Sequence, residues 1–87
     1  MAISANTVLL AVAIWPGQTA YQLAGRLGLR ASYAGRRMND VSPVRRQLAR
    51  LEAGGYVRRE RQAGGRGARG FHWVWRLSGG QADARGA

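Results

Sequence analysis

Two different periods run through the apolar positions of this chain, and they change over near residue 56. Before that point the spacing is helical. Val8, Leu9, Val12 and Trp15 form a broad apolar stripe that predicts a helix over residues 5–15, with Ser4 or Asn6 as its cap and Pro16-Gly17 as its stop. This segment is apolar nearly all round, which predicts a place at the centre of the fold or at a dimer interface. Ala20, Leu23, Ala24 and Leu27 recur at i, i+3, i+4 and i+7, one buried face of a second helix. Thr19 and Gln22 stand at capping-box spacing before it. Gly28 supplies its stop, and Leu29 can fold back onto it. The third helix is the best defined. Ser42 is its expected cap and Pro43 suits the first helical position. Val41, Val44, Leu48 and Leu51 fall within a narrow arc that faces the core, and Gly54-Gly55 ends the helix.

From Tyr56 onward the pattern is that of strands. Residues 56–62 read as an Arg-rich strand, and residues 64–70, with four glycines and two arginines, as a hairpin tip. Phe71, Trp73, Trp75 and Leu77 then alternate with His72, Val74 and Arg76, the clearest period-2 signal in the chain. Trp73 and Trp75 are expected to pack on the helices, with base stacking as the competing role. Residues 30–41 carry no sustained period. A short helical turn around residues 32–38 and a turn at Asn39-Asp40 are the expectations there. Residues 79–87 are Gly/Ala-rich and predict a frayed tail.

Composition narrows the chemistry. Eighty-seven residues predict one domain, and an apolar share of 46% favours a folded chain over a disordered one. The net charge is +10, and all 14 cationic residues are Arg against four acids. A GC-rich coding sequence accounts for Arg over Lys. A polyanionic partner accounts for the excess of charge, since the planar guanidinium binds phosphate bidentately. The absence of cysteine excludes disulfides, thiolate chemistry and zinc fingers, and a lone His72 cannot build a metal site. The acids Asp40, Glu52, Glu60 and Asp83 show no pairing pattern, and the glycines at 64–70 do not follow the strand–loop–helix order of a phosphate loop. Neither an enzyme nor a cofactor site is expected. The longest apolar run, Val8 to Trp15, is far shorter than the ~20 residues that span a bilayer, and no secretory pattern accompanies it. A cytoplasmic protein with no membrane partner is the expectation.

The order helix, helix, helix, strand, wing, strand resembles the winged helix-turn-helix family of DNA-binding domains, over about residues 7–78. Residues 19–29, Thr-Ala-Tyr-Gln-Leu-Ala-Gly-Arg-Leu-Gly-Leu, resemble that family's second helix and the start of its turn. Residues 44–57 resemble its recognition helix and first wing strand. Trp75-Arg76-Leu77-Ser78 resembles the closing wing strand of MarR-like and PadR-like bacterial regulators. The resemblance implies an α+β fold: a small winged helix-turn-helix over residues 1–78, three helices followed by a two-stranded β-hairpin wing. Two features depart from the family. Twelve residues separate Leu29 from Ser42 where the family has a short turn, and no long C-terminal helix is present for dimerisation. Either the recognition helix starts earlier, or an inserted loop carries Arg30, Arg36 and Arg37 toward the partner.

What the resemblance implies about function is a sequence-specific double-stranded DNA-binding protein acting in transcription regulation in a bacterium or phage, close to the nucleoid. Arg45, Arg46 and Arg50 on the exposed face of the third helix are the expected major-groove contacts, since Arg pairs bidentately with guanine. Ala49 and Ala53 allow close approach. Arg66 and Arg69 in the wing are the expected minor-groove or backbone contacts. Arg58, Arg59 and Arg61 alternate around their strand, so only one face of it can lie near DNA, and Glu60 is a ready ion-pair partner. Tyr21 and Tyr33 are each able to donate to a phosphate. A homodimer through the first helix or the wing is expected, because one small module rarely binds tightly alone. The alternatives are a protein–protein adaptor docking on an acidic partner, and an architectural or RNA-binding module of low specificity. No small-molecule substrate is implied.

Overall fold

The computed structural model describes residues 3–64 and 70–78. They form a small α+β domain in the order α1 (Ala5–Ile14), α2 (Ala20–Arg26), β1 (Arg30–Tyr33), β2 (Arg36–Asn39), α3 (Ser42–Ala53), β3 (Val57–Ala63) and β4 (Phe71–Leu77). The strands make two separate two-stranded antiparallel sheets, β1–β2 and β3–β4. Only the second was expected. Among the described residues no helix is long and apolar enough to cross a membrane.

The helix ends follow the local chemistry. Ser4 caps α1 by accepting from the Thr7 amide at 3.1 Å. At α2 the capping box is complete: the Thr19 hydroxyl accepts from Gln22 N at 3.1 Å, and Gln22 Oε1 accepts from Thr19 N at 2.9 Å. Both α2 and α3 close with the same motif. A glycine in the left-handed region (Gly28, φ 73°; Gly55, φ 82°) lets the next amide return to the carbonyl five residues back. Leu29 N thus donates to Ala24 O, and Tyr56 N to Leu51 O. The start of α3 differs from expectation. Ser42 is its first helical residue, not its cap, and Val41 occupies the cap position without a side-chain bond. The Asp40 carboxylate takes the capping role instead, accepting from Ser42 N at 3.3 Å. A negative group there also suits the helix dipole.

Residues 30–41 are not a helical turn. They form the β1–β2 hairpin, in which Arg30 pairs with Asn39, Ala31 with Met38, Ser32 with Arg37 and Tyr33 with Arg36. Its two-residue turn has Ala34 at φ 53° and Gly35 at φ 78°, the double positive φ of a type I′ turn. The base of the hairpin is tied to α2. Asn39 Nδ2 donates to the Tyr21 carbonyl at 3.0 Å, and its Oδ1 accepts from Arg30. Gly25 permits this approach, since a Cβ there would lie 2.7 Å from Asn39 Nδ2.

The core gathers Val8, Ala11 and Val12 of α1, Leu23 and Ala24 of α2, Val44, Leu48 and Leu51 of α3, Val57 of β3 and Trp75 of β4. Three helices with one seam each thus close on the base of the β3–β4 hairpin. A further backbone link locks that base. Trp75 N donates to Gln18 O at 3.0 Å and Gly17 N to Trp75 O at 2.9 Å, so the α1–α2 connection lies alongside β4 as a bridge.

Register splits the hairpin into two faces, because directly paired residues share a side. Val57, Arg59 and Arg61 lie with Leu77, Trp75 and Trp73 on one; Arg58 and Glu60 lie with Arg76 and Val74 on the other. On that second face the Glu60 carboxylate binds both Arg58 and Arg76, the latter at 2.8 Å. The Arg76 hydrogen bond, aided by the charges of Arg58 and Arg76 and opposed by partial burial, holds Glu60 below its ordinary pKa of 4.5. A carboxylate depressed in the folded state stabilises fully above its unfolded pKa, and that contribution fades as pH falls through the lower folded value. The melting temperature of the Glu60→Gln variant is therefore expected to lie below that of the parent at pH 6, with the gap closing below about pH 4. Thermal melts across pH 3–6 measure this. The gap is small, because all three side chains touch water. A gap that stays constant with pH would show that the ion pairs contribute nothing.

Candidate nucleic-acid interface

Helix α3 displays its cations because its seam is narrow. Val44, Leu48 and Leu51 are buried, whereas Arg45, Arg46, Ala49, Arg50 and Ala53 are exposed. At about 100° per residue the three arginines fan over roughly 140°, so they do not converge on a point. Arg45 lies toward β3 and β4, Arg46 points directly away from the core, and Arg50 lies on the opposite flank. On that flank Gln47 Nε2 donates to the Ile3 carbonyl at 2.9 Å, tying α3 to the residue before α1.

Arg45 borders a groove of about 520 Å³ between the first turn of α2, the side of α3 and strand β4. Tyr21, Ala49, Glu52, Arg59 and Trp73 also line it. Its single carboxylate, Glu52, is engaged by Arg59 at 3.4 Å. Arg59 also stacks over Trp73, 4.8 Å from the ring centroid, which latches the end of α3 to the hairpin. Phe71 meets the same indole edge-on at 5.8 Å, and Arg61 lies 4.9 Å above Phe71. This corrects one expectation. Trp75 is in the core, but Trp73 is 42% exposed. The hairpin is seven residues long on each side, about 23 Å, and the helices cover only its base. The structure also weakens the stacking role, since Arg59 and Phe71 already flank the Trp73 ring.

The acids of the described residues are all committed. Asp40 caps α3, Glu52 holds Arg59, and Glu60 holds Arg58 and Arg76. Among the described residues, Arg36, Arg37, Arg45, Arg46 and Arg50 have no carboxylate within 4.0 Å. Arg30 is partly engaged, through Asn39. Arg66 and Arg69, expected at the wing tip, lie outside the described residues, as does the expected tail at 79–87. Tyr21, 49% exposed, emerges as the residue between two surfaces. It lines the α3 groove and also a second groove of about 430 Å³ with Ala34, Arg36, Arg37 and Met38. His72 is half-buried and bonded to Gln62 at 3.2 Å.

No family model matches the chain, and comparison with curated proteins and with solved structures returned no match.

Proposed function

We propose that this chain is a winged helix-turn-helix protein that binds double-stranded DNA, with α3 in the major groove, and that it serves transcription regulation. The observation that carries the reading is the uncompensated cationic face of α3: Arg45, Arg46 and Arg50 are exposed, and no acid of the described residues neutralises them. Like charges kept apart from counter-charges on one helix cost folding energy through mutual repulsion, and a polyanion relieves it. Three helices and the closing β3–β4 hairpin, with the α1–α2 connection bridged to the returning strand at Gln18 and Trp75, support the fold assignment. A helix fits the width of the major groove, and the small Ala49 and Ala53 between the arginines leave room for base edges. Binding is the role rather than catalysis, supported by the groove's own chemistry: Glu52 is held by Arg59, and His72 by Gln62. A homodimer on a two-fold site is part of the proposal. Leu10 and Ile14, one turn apart on α1, expose an apolar strip suited to a second copy.

The test is fluorescence anisotropy of a labelled random-sequence duplex at several salt concentrations. Each neutralised phosphate contributes about −0.9 to the slope of log affinity against log salt, so a slope of about −4 or steeper is expected. Sedimentation of the bound species should give the mass of two chains per site, and a one-chain mass sinks the dimer. No binding at low salt rejects the reading and favours an acidic protein as the partner.

A further inference from the structure

The β1–β2 hairpin occupies the connection between the two helices that the proposed fold would join by a short turn. Six of its side chains lie outside the core: Arg30, Ala31, Ser32, Arg36, Arg37 and Met38 are all exposed. Exposed side chains such as these do not hold a hairpin in place through the hydrophobic effect. It is nonetheless positioned with care. Asn39 clamps its base to the Tyr21 carbonyl, Asp40 N donates to Leu29 O at 3.0 Å, and Gly25, lacking a Cβ, leaves the space that the Asn39 amide occupies. Arg37 lies on the same face of β2 as Asn39, two residues nearer the tip, and so is held on the side that leans on α2. Arg36 and Arg37 share a groove with Tyr21, whose other side borders the groove of Arg45. A continuous surface therefore runs from Arg45 past Tyr21 to Arg37 and Arg36, and among the described residues none of these arginines has a carboxylate partner.

We propose that the β1–β2 hairpin is a second phosphate-binding arm, which grips the backbone of the duplex beyond the edge of the groove that α3 enters. The proposal rests on the duplex reading above and extends it. Arg36 and Arg37 each neutralise one phosphate, Tyr21 supplies a hydroxyl between them and Arg45, and Asn39 is a positioning residue that holds the arm at its angle. Contacts to phosphate position a protein without reading sequence, so the arm adds affinity and orientation rather than base preference.

The experiment is the salt titration of duplex binding repeated with the Arg36→Gln/Arg37→Gln variant, using both a random and a selected duplex. Both side chains are exposed, and circular dichroism verifies that the fold is kept. The slope is expected to become shallower by about 1.8, with affinity at 0.1 M salt reduced on the order of fifty-fold on both duplexes alike. An Asn39→Ala variant, which keeps both arginines but frees their base, should lose part of this affinity. A folded double variant with an unchanged slope overturns the arm while leaving the duplex reading intact. A changed base preference also overturns it, since the arginines would then be reading bases. Failure of the unsubstituted protein to bind any duplex rejects the parent reading, and the arm falls with it.

Discussion

Replacing Leu48 with alanine is expected to cost about 2–5 kcal/mol of folding free energy. Leu48 is completely buried at the middle of the inward seam of α3, in the cluster that unites all three helices with Val57 and Trp75. The truncation removes transfer free energy and leaves a cavity whose walls belong to different elements, so no single side chain can move to fill it. A chain of this size has a total stability of only about 4–13 kcal/mol. The variant should therefore unfold at a much lower urea midpoint with a similar slope, and the weakest-case outcome is a chain largely unfolded at 37 °C. Urea denaturation followed by far-ultraviolet circular dichroism measures it. A loss below about 1 kcal/mol would show that Leu48 is not in a packed interior, and the description of α3 as a helix seated by one narrow seam would fall.

The exposed side of the same helix carries the second large effect. The triple variant Arg45→Ala/Arg46→Ala/Arg50→Ala is expected to keep the fold and lose duplex affinity by two to three orders of magnitude, about 3–4 kcal/mol, at fixed moderate salt. All three side chains project from the helix surface without ion pairs, so their removal deletes no salt bridge among the described residues. The single variants separate their roles. Arg45 stands in the first turn of α3 beside the groove, where the leading end of a recognition helix meets base edges. Its loss should relax discrimination at one position of the selected site by about 1–3 kcal/mol. Arg50, a turn further along and on the other flank, should affect all sequences alike and make the salt slope shallower by about one. Competition anisotropy with single-base variants of the selected duplex distinguishes the two patterns. Undiminished affinity in the folded triple variant would remove α3 from the interface and leave the charge of the hairpins to account for any binding.

These two predictions bear on opposite sides of one helix, and both sides were legible in the amino-acid order. The seam of α3 is strict because an isolated twelve-residue helix is marginal in water and must be held by one apolar face. The caps were legible for a related reason. Thr19 with Gln22, and the glycines at 28 and 55, act over four to six residues, so their chemistry is complete within the local sequence. The single misassigned cap, Ser42, fell to a neighbour: Asp40, two residues away, offers a charged acceptor to the amide of Ser42 itself.

The β1–β2 hairpin was not legible, and its own features explain why. A strand announces itself by an apolar face at period two, which is needed only when that face is buried. Arg30, Ala31, Ser32, Arg36, Arg37 and Met38 are exposed, and their alternation carries no apolar signal. The turn is equally silent. A type I′ turn is usually marked by Asn-Gly or Asp-Gly, and here Ala34 takes the first positive φ. Asn39, 18 residues from the carbonyl it binds, does the work of placement that no local pattern records.

Local order along the chain thus determined the three helices, most of their ends, and the paired strands β3 and β4. These follow from periodicity and capping, which act within a turn or two of helix or along one strand. Tertiary structure alone decided the rest. It left Trp73 in solvent while burying Trp75, because the helices end before the hairpin does. It spent Arg59 and Arg76 on ion pairs, because Glu52 comes within reach of Arg59, and Glu60 of Arg76, only after folding. It set Tyr21 between two grooves, and so joined Arg36 and Arg37 to the helix that bears Arg45. Which cations remain free for a partner depends on distances across the fold, and those distances exist only once the core has closed.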